Sequence, residues 1–317
     1  PPRSTQGVSS AASDVYKRQE ITDSNVVDVF VYDTRKDSDG GAWRKRTKHT
    51  SWYNEAAAAG VRGSRKEFPA VAVIVAEATK VTIYDGDDPD LPVWMKFDAG
   101  EQTANGKMLQ FWGTATTGVV SSVTMLNGEM VVGTNNGSSS GVYVGMTAVN
   151  FVSDSAYYRR NASNQYIIIG NSISDRNVNQ YGGYASTGGL GGGNANDVAM
   201  TVLPNAPIDD ATGLPIPTIA VATESGVSVV RDDGNVVDLT QNSPYIVTNN
   251  VFFSDYGKLL YDTEDTSVVY EVDIPSADIG YGAYNSTANG RVIYPTGTHG
   301  GFSSGQIRLL GRNMSNG

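Results

Sequence analysis

The chain has 317 residues and a mass of 33.6 kDa, which is enough for one large domain or two small ones. Its net charge of −10 and pI of about 4.7 argue against a protein whose surface binds nucleic acid. The absence of cysteine excludes disulfides and thiolate metal sites, and no apolar run reaches the roughly 18 residues of a membrane span, so we expect no membrane insertion.

The N-terminal residues 1–20 look foreign to the fold. Residues 7–19 resemble translated adapter sequence at the ends of metagenomic reads, and we expect this segment to form no structure. The native N-terminus is then missing, so no targeting signal can be read. We expect the C-terminus to be truncated as well.

The first predicted strand, Val26–Tyr32, alternates apolar and polar residues as a half-buried strand does. A turn at Asp37–Gly41 and then Trp43 follow it. This turn resembles the Asp-box hairpin of sialidase-like propellers, although it is one residue short between the glycine pair and the tryptophan. In those proteins the hairpin has a folding role.

The charge becomes positive between Arg44 and Glu67, and aromatic residues are interleaved with the basic ones. Such a run is typical of a site for phosphate or an acidic glycan, or of a solvated connector whose aromatic rings hold it against a sheet. The candidate binding residues are Trp43, Arg44, Arg46, Trp52 and Tyr53. A short helix is predicted over Asn54–Ala59, with Asn54 as its N-cap and Gly60 at its C-terminal end.

From Phe68 onward the chain repeats one pattern, a pair of short β-prone runs joined by a glycine-containing turn. The predicted pairs are Ala70–Ala76 with Lys80–Gly86, Gly128–Thr134 with Val142–Val144, Ile219–Ala222 with Val227–Val230, and Lys258–Tyr261 with Val268–Val272. Trp94–Phe97 and Tyr166–Gly170 read as further strands. Tyr181–Asn196, with many glycines, reads as a flexible loop.

The spacing of the second runs sets the expected architecture. Val142 to Val227 is 227 − 142 = 85 residues and Val227 to Val268 is 268 − 227 = 41, which suit two blades and one blade of a propeller. We therefore predict an all-β fold, a β-propeller of repeated four-stranded antiparallel blades, with a β-sandwich or β-solenoid as the fallback. The predicted division is residues 21–67 as strand plus connector and 68–317 as the propeller. Ring closure is expected from the 21–43 strand, or from strands at 291–294 and 306–310.

One turn is rich in carboxylates. Asp85, Asp87, Asp88 and Asp90 lie within six residues and offer oxygen ligands suited to Ca²⁺. Asp and Gly are equally typical of a solvated tight turn, so both interpretations stay open.

No sequence motif for catalysis is present: there is no nucleophile elbow, zinc-binding helix or phosphate loop. A pair of distant carboxylates that cleaves a glycan is the alternative, because such a pair needs no sequence proximity. For sugar stacking, the plausible aromatic positions are Trp94, Trp112, Tyr181 and Tyr184, and core packing competes for the tryptophans.

The segments Val27–Thr34, Lys36–Arg44 and His49–Glu55 are similar to large virion proteins of marine tailed bacteriophages, and the likeness extends less sharply to about Asp273. The resemblance implies a propeller-like module within a longer virion or tail-associated polypeptide. Together with the repeat, the polar loop-rich surface and the missing catalytic motif, it favours a non-enzymatic module that presents loops to other virion proteins or to a host-surface glycan. It implies location in the virion, or otherwise outside the cell. An inert spacer is a third possibility.

Overall fold

The computed structural model describes residues 26–101, 107–111, 118–136, 144–161, 164–178, 182–185, 187–240, 247–263, 268–280 and 290–292. Residues 1–20, the predicted closing strand at 306–310, Trp112 and Tyr181 lie outside these ranges.

The first two sheets are formed by the N-terminal half of the chain. Sheet 1 contains β1 (Val26–Asp33), β2 (Val71–Glu77), β3 (Lys80–Asp85), β4 (Val93–Glu101) and β5 (Leu109–Phe111), paired in that order. Sheet 2 contains β6 (Val119–Leu126), β7 (Glu129–Asn135), β8 (Gly145–Asn150), β9 (Ser155–Arg160), β10 (Gln165–Ile169) and β11 (Gly182–Ala185), again in chain order. An Asn127-Gly128 turn joins β6 to β7, and both residues have the positive φ that a two-residue hairpin turn requires.

The C-terminal half forms two smaller sheets and a ribbon. Sheet 3 pairs β12 (Ala195–Thr201), β15 (Thr218–Thr223), β16 (Gly226–Val230) and β17 (Val236–Thr240); the ribbon pairs β13 (Ile208–Asp209) with β14 (Leu214–Pro215). Sheet 4 pairs β18 (Val251–Phe253), β19 (Leu259–Thr263), β20 (Val268–Val272) and β21 (Gly290–Val292). All pairings among these strands are antiparallel, and the parallel pairing in sheet 1 joins β4 to β5.

The four sheets pack face to face in chain order. One apolar cluster joins sheet 1 to sheet 2 through residues such as Ile74 and Met130. A second joins sheets 2 and 3 through Val131 and Val221, and a third joins sheets 3 and 4 through Val229 and Tyr261. The strands β1, β6, β12 and β18 each lie at one edge of their sheet and neighbour one another in turn. Successive antiparallel sheets with neighbouring inner strands are the blades of a propeller-type fold, and the all-β prediction is confirmed.

Two details of the predicted architecture need correction. The blades are not uniformly four-stranded, because sheet 1 has five strands and sheet 2 has six. The 85-residue interval does not contain an additional complete blade, since β9, β10 and β11 extend sheet 2 by successive pairing. The third strand of sheet 2 is β8, Gly145–Asn150; residues 142 and 143 of the predicted strand Val142–Val144 lie outside the described ranges.

The connector after β1 is part of the packed structure. It contains 3-10 turns at Thr34–Lys36 and Ala42–Arg46, a third such turn lies at Ile173–Asp175, and the one α-helix described, α1, spans Ser51–Asn54. The predicted helix over Asn54–Ala59 is wrong: Thr50 is the N-cap, its hydroxyl accepting from the Tyr53 amide, so the helix ends where it was expected to begin.

The glycine-rich stretch is also more ordered than predicted. Residues 182–185 form β11, and Leu190 is buried. The amides of Gly193 and Asn194 donate to the Glu224 carboxylate at 2.8 and 2.6 Å. Side-chain acceptors of sheet 3 therefore hold the described part of this stretch in place.

None of the helices in the described part of the chain has the length and apolar character that a membrane crossing requires.

Candidate functional site

The four inner strands converge on one open groove of about 390 Å³, which we call the inner groove. Its walls are consecutive residues of each strand or its end: Phe30–Asp33, Val123–Leu126, Asp197–Val202 and Asn250–Asp255, together with 36–38. Successive side chains of a strand point to opposite faces of its sheet. When consecutive residues all line one groove, the strand presents its edge to it.

Because each of these strands is an edge strand, its outer row of backbone N–H and C=O groups has no partner strand in its own sheet. The inner groove is therefore lined by peptide donors and acceptors as well as by side chains such as Val31, Met200 and Phe252. Its size lies within the range of about 300–1,000 Å³ typical of small-ligand sites.

Buried polar side chains tie the inner strands together. The Ser122 hydroxyl of β6 lies 2.7 Å from Asp197 Oδ1 of β12 and 3.1 Å from Asp28 Oδ2 of β1. The Asp28 carboxylate also accepts from the Val123 amide at 3.0 Å, and Asp197 accepts from the Val251 amide of β18 at 3.1 Å. We call Asp28, Ser122 and Asp197 the inner-strand latch. It joins all four sheets through hydrogen bonds of buried groups.

The latch residues occupy the same position in three blades. A register shift in the inner strand lies immediately before each of them, between Val26 and Asp28, Val120 and Ser122, and Ala195 and Asp197. Each is followed by valine, as is Asn250, which directly precedes β18. Such bulges re-aim a side chain, here toward the neighbouring inner strand.

A second buried carboxylate fixes one end of the groove. Asp37 accepts hydrogen bonds from the Tyr32 hydroxyl at 2.5 Å, from Trp43 Nε1 at 2.7 Å and from the Asn127 amide at 2.9 Å. Burial raises the pKa of the Asp37 carboxyl, against the lowering effect of these hydrogen bonds. Burial, together with the neighbouring Asp37, also raises the pKa of Tyr32 well above its usual value. The β1 end of the groove is thereby anchored to the β6–β7 turn.

The rim of this end carries charged side chains. Asp33 is paired with the exposed Arg35 at 2.7 Å, and the pairing lowers the pKa of the Asp33 carboxyl. Asp255 also lines the groove, and the residue after it, Tyr256, has a side chain that is 90% exposed on the turn between β18 and β19.

The predicted binding residues of the connector do not form an exposed site. Trp43 and Trp52 are fully buried, and Trp52 Nε1 donates to the Phe151 carbonyl at 2.9 Å. Arg44 is largely covered and bonds to the Phe68 carbonyl and Glu67, whereas Arg46 is half exposed beside Asp39. Tyr53 packs against the core of sheets 1 and 2. The tryptophans are core residues because their rings contact Phe68, Trp94 and Phe151; Trp94 is likewise buried.

The four carboxylates predicted to hold Ca²⁺ are not brought together as a metal site in the described structure. The Arg65 guanidinium lies 2.7 Å from Asp85 and 2.8 Å from Asp87. Asp87 also accepts from the amides of Ala70 and Val71; these bonds and Arg65 outweigh partial burial and lower its pKa. Asp88 accepts from the Asp90 amide, as in an ordinary turn. Arg65 and backbone amides therefore hold the Asp85 and Asp87 carboxylates, and the described structure gives no support to the calcium-site interpretation.

A buried glutamate lies apart from the inner groove. Glu129 accepts from Asn150 Nδ2 and the Tyr157 hydroxyl, both at 3.1 Å, and burial raises the pKa of its carboxyl. The cavity beside it measures about 30 Å³, a space of water size. A sugar ring does not fit there.

Sequence reasoning missed the inner-strand latch. Its signal was present as Asp or Ser directly before valine in three inner strands, and as Asn250 before the valine that begins the fourth. The hairpin comparison aligned the second strand of each pair and did not use it. Tyr256 carried no signal, because exposure of a single tyrosine in a turn follows from the fold.

No family model and no curated protein matches the chain. Among solved structures, a polycomb repressive complex 2 chain shares 13% identity, with a TM-score of 0.36, over 80% of this chain and 39% of that chain. A protein of unknown function from Bacteroides caccae shares 11% (TM-score 0.33; 71% of this chain and 59% of that one). A β-propeller domain from Myceliophteria thermophila shares 10% (TM-score 0.27; 65% and 62%). The chain thus spans less than two thirds of each of these proteins, and with TM-scores this low the fold rests on the strand pairing.

Proposed function

We propose that this chain is a non-catalytic propeller module of a virion or tail-associated protein, whose inner groove and rim bind a protein or glycan partner. The observation that carries the proposal is the convergence of four sheet-edge strands on one open groove of about 390 Å³. The latch and the Asp37 hydrogen bonds hold these edges in fixed positions, which reduces the entropy lost when a ligand binds. The virion context is supported by the resemblance of residues 27–55 to phage structural proteins.

Filling the groove tests the binding proposal. Val31 lines the groove and is 57% exposed, so Val31→Trp adds bulk to the groove without disturbing the core. Val178 is 55% exposed and does not line the groove, which makes Val178→Trp the matched control. The probes are an array of bacterial surface polysaccharides and an array of proteins from disrupted tailed-phage particles.

We expect the wild type and Val178→Trp to bind the same array positions, and Val31→Trp to lose them at least tenfold in affinity. Equal binding by all three proteins would contradict the groove as the site. Release of reducing ends from a bound polysaccharide would contradict the non-catalytic role. For the virion context, peptides of this chain should be found by mass spectrometry in gradient-purified marine virus particles, and enrichment in the particle-free fraction would oppose it.

A further inference from the structure

We infer that the ligand of the inner groove is an uncharged carbohydrate and that Tyr256 is the stacking platform for one of its rings. This inference rests on the proposed function, because it names the ligand class of the same groove. Three features of the groove and its rim lead to it.

The first feature is the groove wall. The edge strands β1, β6, β12 and β18 bring peptide N–H donors and C=O acceptors to the groove wall, apart from the Val123 and Val251 amides that the latch uses. A ligand with many hydroxyl groups satisfies both kinds of group, since each hydroxyl donates one hydrogen bond and accepts others. Apolar wall residues, Val31, Met200 and Phe252, suit the C–H faces of sugar rings.

The second feature is charge. The ionisable groups lining the groove are the carboxylates of Asp33, Asp37, Asp197 and Asp255 and one ammonium group, that of Lys36. The whole chain carries a net charge of −10. Asp33 is paired with Arg35 at 2.7 Å, which leaves three lining carboxylates and one ammonium group, so the groove disfavours an acidic polysaccharide and suits an uncharged one.

The third feature is Tyr256. Its side chain is 90% exposed, and it follows Asp255, which lines the groove. The turn that carries it is fixed: the Gly257 amide donates to the Ser254 carbonyl at 2.9 Å, and the Lys258 amide donates to the Ser254 hydroxyl at 3.1 Å. Gly257 adopts a φ of +72° and sits against Leu203. A hydrogen-bonded turn thus holds an exposed aromatic ring on the residue next to the groove lining, and aromatic rings combine an apolar face with a polar tip.

Calorimetric titration of the full chain tests the inference. The probes are the neutral hexasaccharides of β-1,3-glucan, β-1,4-glucan, α-1,4-glucan, mannan and xylan, with a galacturonate hexamer and a heparin hexasaccharide as acidic counterparts. We expect at least one neutral probe to bind with one-to-one stoichiometry and neither acidic probe to bind. Tyr256→Ala should weaken the binding by about tenfold through loss of ring stacking.

Three further variants make the result specific. Tyr256→Phe should bind like the wild type, because stacking needs the ring and not the hydroxyl. Ile208→Ala removes another exposed apolar side chain, 57% exposed on the ribbon and outside the groove lining, and should also bind like the wild type. Val31→Trp should abolish binding.

Binding of an acidic probe, or neutral binding that Tyr256→Ala leaves unchanged, would overturn the inference. Failure of every carbohydrate to bind would also overturn the inference. The groove proposal would still stand in that case if a protein partner bound the wild type and lost its binding to Val31→Trp. Carbohydrate binding that Val31→Trp does not weaken would overturn the groove proposal and this inference together.

Discussion

Asp37 shows how one residue can be recognised in the sequence and misunderstood in its role. The Asp37–Trp43 turn is visible as a glycine-containing turn before a tryptophan. In the structure the Asp37 carboxylate is the shared acceptor for Tyr32, Trp43 and Asn127. Its third donor belongs to sheet 2, and nothing in the local sequence reveals a partner 90 positions away.

The raised pKa of Asp37 makes a prediction about pH. An unfolded aspartate has a pKa of about 3.9, and burial raises the value in the native state. Between these two values the native state binds the proton more tightly than the unfolded chain does. The contribution of Asp37 to the free energy of unfolding is therefore complete at low pH and is lost as the pH rises through the native pKa.

Urea unfolding of the wild type and Asp37→Asn between pH 4 and pH 7 measures this contribution, since asparagine does not titrate. We expect the free energy of unfolding of the wild type, relative to that of Asp37→Asn, to decrease with rising pH, by at most about 1.4 kcal/mol per pH unit for a single proton. Ser38→Ala, which removes an exposed hydroxyl beside Asp37, should run parallel to the wild type. An advantage that grows with pH would contradict the assigned direction.

The connector tryptophans show that local composition does not reveal whether a side chain is buried. Trp43 and Trp52 were candidates for binding because they alternate with basic residues. Both are buried, since their rings pack with Phe68 and Phe151 from distant parts of the chain. Burial of a tryptophan depends on which remote residues meet it, and a local pattern of charge carries no such information.

At the scale of the strands, the sequence predicted hairpins well where both runs were apolar and the turn was short. The pairs β2–β3, β15–β16 and β19–β20 lie where expected. The pattern did not predict β11, in which two of the four residues are glycine, or a strand over Gly145–Asn150, where β8 lies. Strands of that composition form because a neighbouring strand supplies the hydrogen bonds, and propensity alone does not predict them.

Gly226, the first residue of β16, provides a test at this scale. It adopts a φ of +121°, and a Cβ placed there would lie 2.0 Å from the Leu239 carbonyl oxygen of β17. Gly226→Ala should therefore lower the free energy of unfolding by at least about 3 kcal/mol. The alanine would adopt a strained φ, and the backbone of β16 or β17 would also have to move to relieve the contact. Chemical denaturation measures the loss.

Gly234, in the next turn, is the matched control. Its φ is +81°, and no atom lies within 4 Å of an added Cβ. Gly234→Ala should cost about 1 kcal/mol, the price of the left-handed conformation alone. Equal losses for the two variants would show that the close approach of β16 to β17 carries no energetic weight.

At the scale of the whole molecule, the sequence predicted the repeated strand pairs but not the number of strands in each blade. Gly-punctuated strand pairs predicted an all-β fold of successive blades, because such pairs cannot bury both faces alone. The number of strands per blade was misjudged, since β9–β11 continue an existing sheet instead of starting a new one. Which edge a strand joins is decided by packing between sheets. The groove followed from the same packing and was not predicted.

The inner-strand latch predicts how the sheets are coupled. Asp197→Ala leaves the buried Ser122 hydroxyl and the Val251 amide without an acceptor that each now uses, at 2.7 and 3.1 Å. We expect a loss of about 3 kcal/mol in the free energy of unfolding. Because Asp197 links sheet 3 to sheets 2 and 4, the amides of β18 should also exchange with solvent faster than those of β7.

Asp238→Ala is the control, since the Asp238 carboxylate bonds to Ser228 within sheet 3 and to Gly191. It should lower stability and leave the β18 amides as protected, relative to β7, as in the wild type. If β18 stays equally protected in Asp197→Ala, sheet 4 is held by its apolar contacts with sheet 3 and the latch does not couple them.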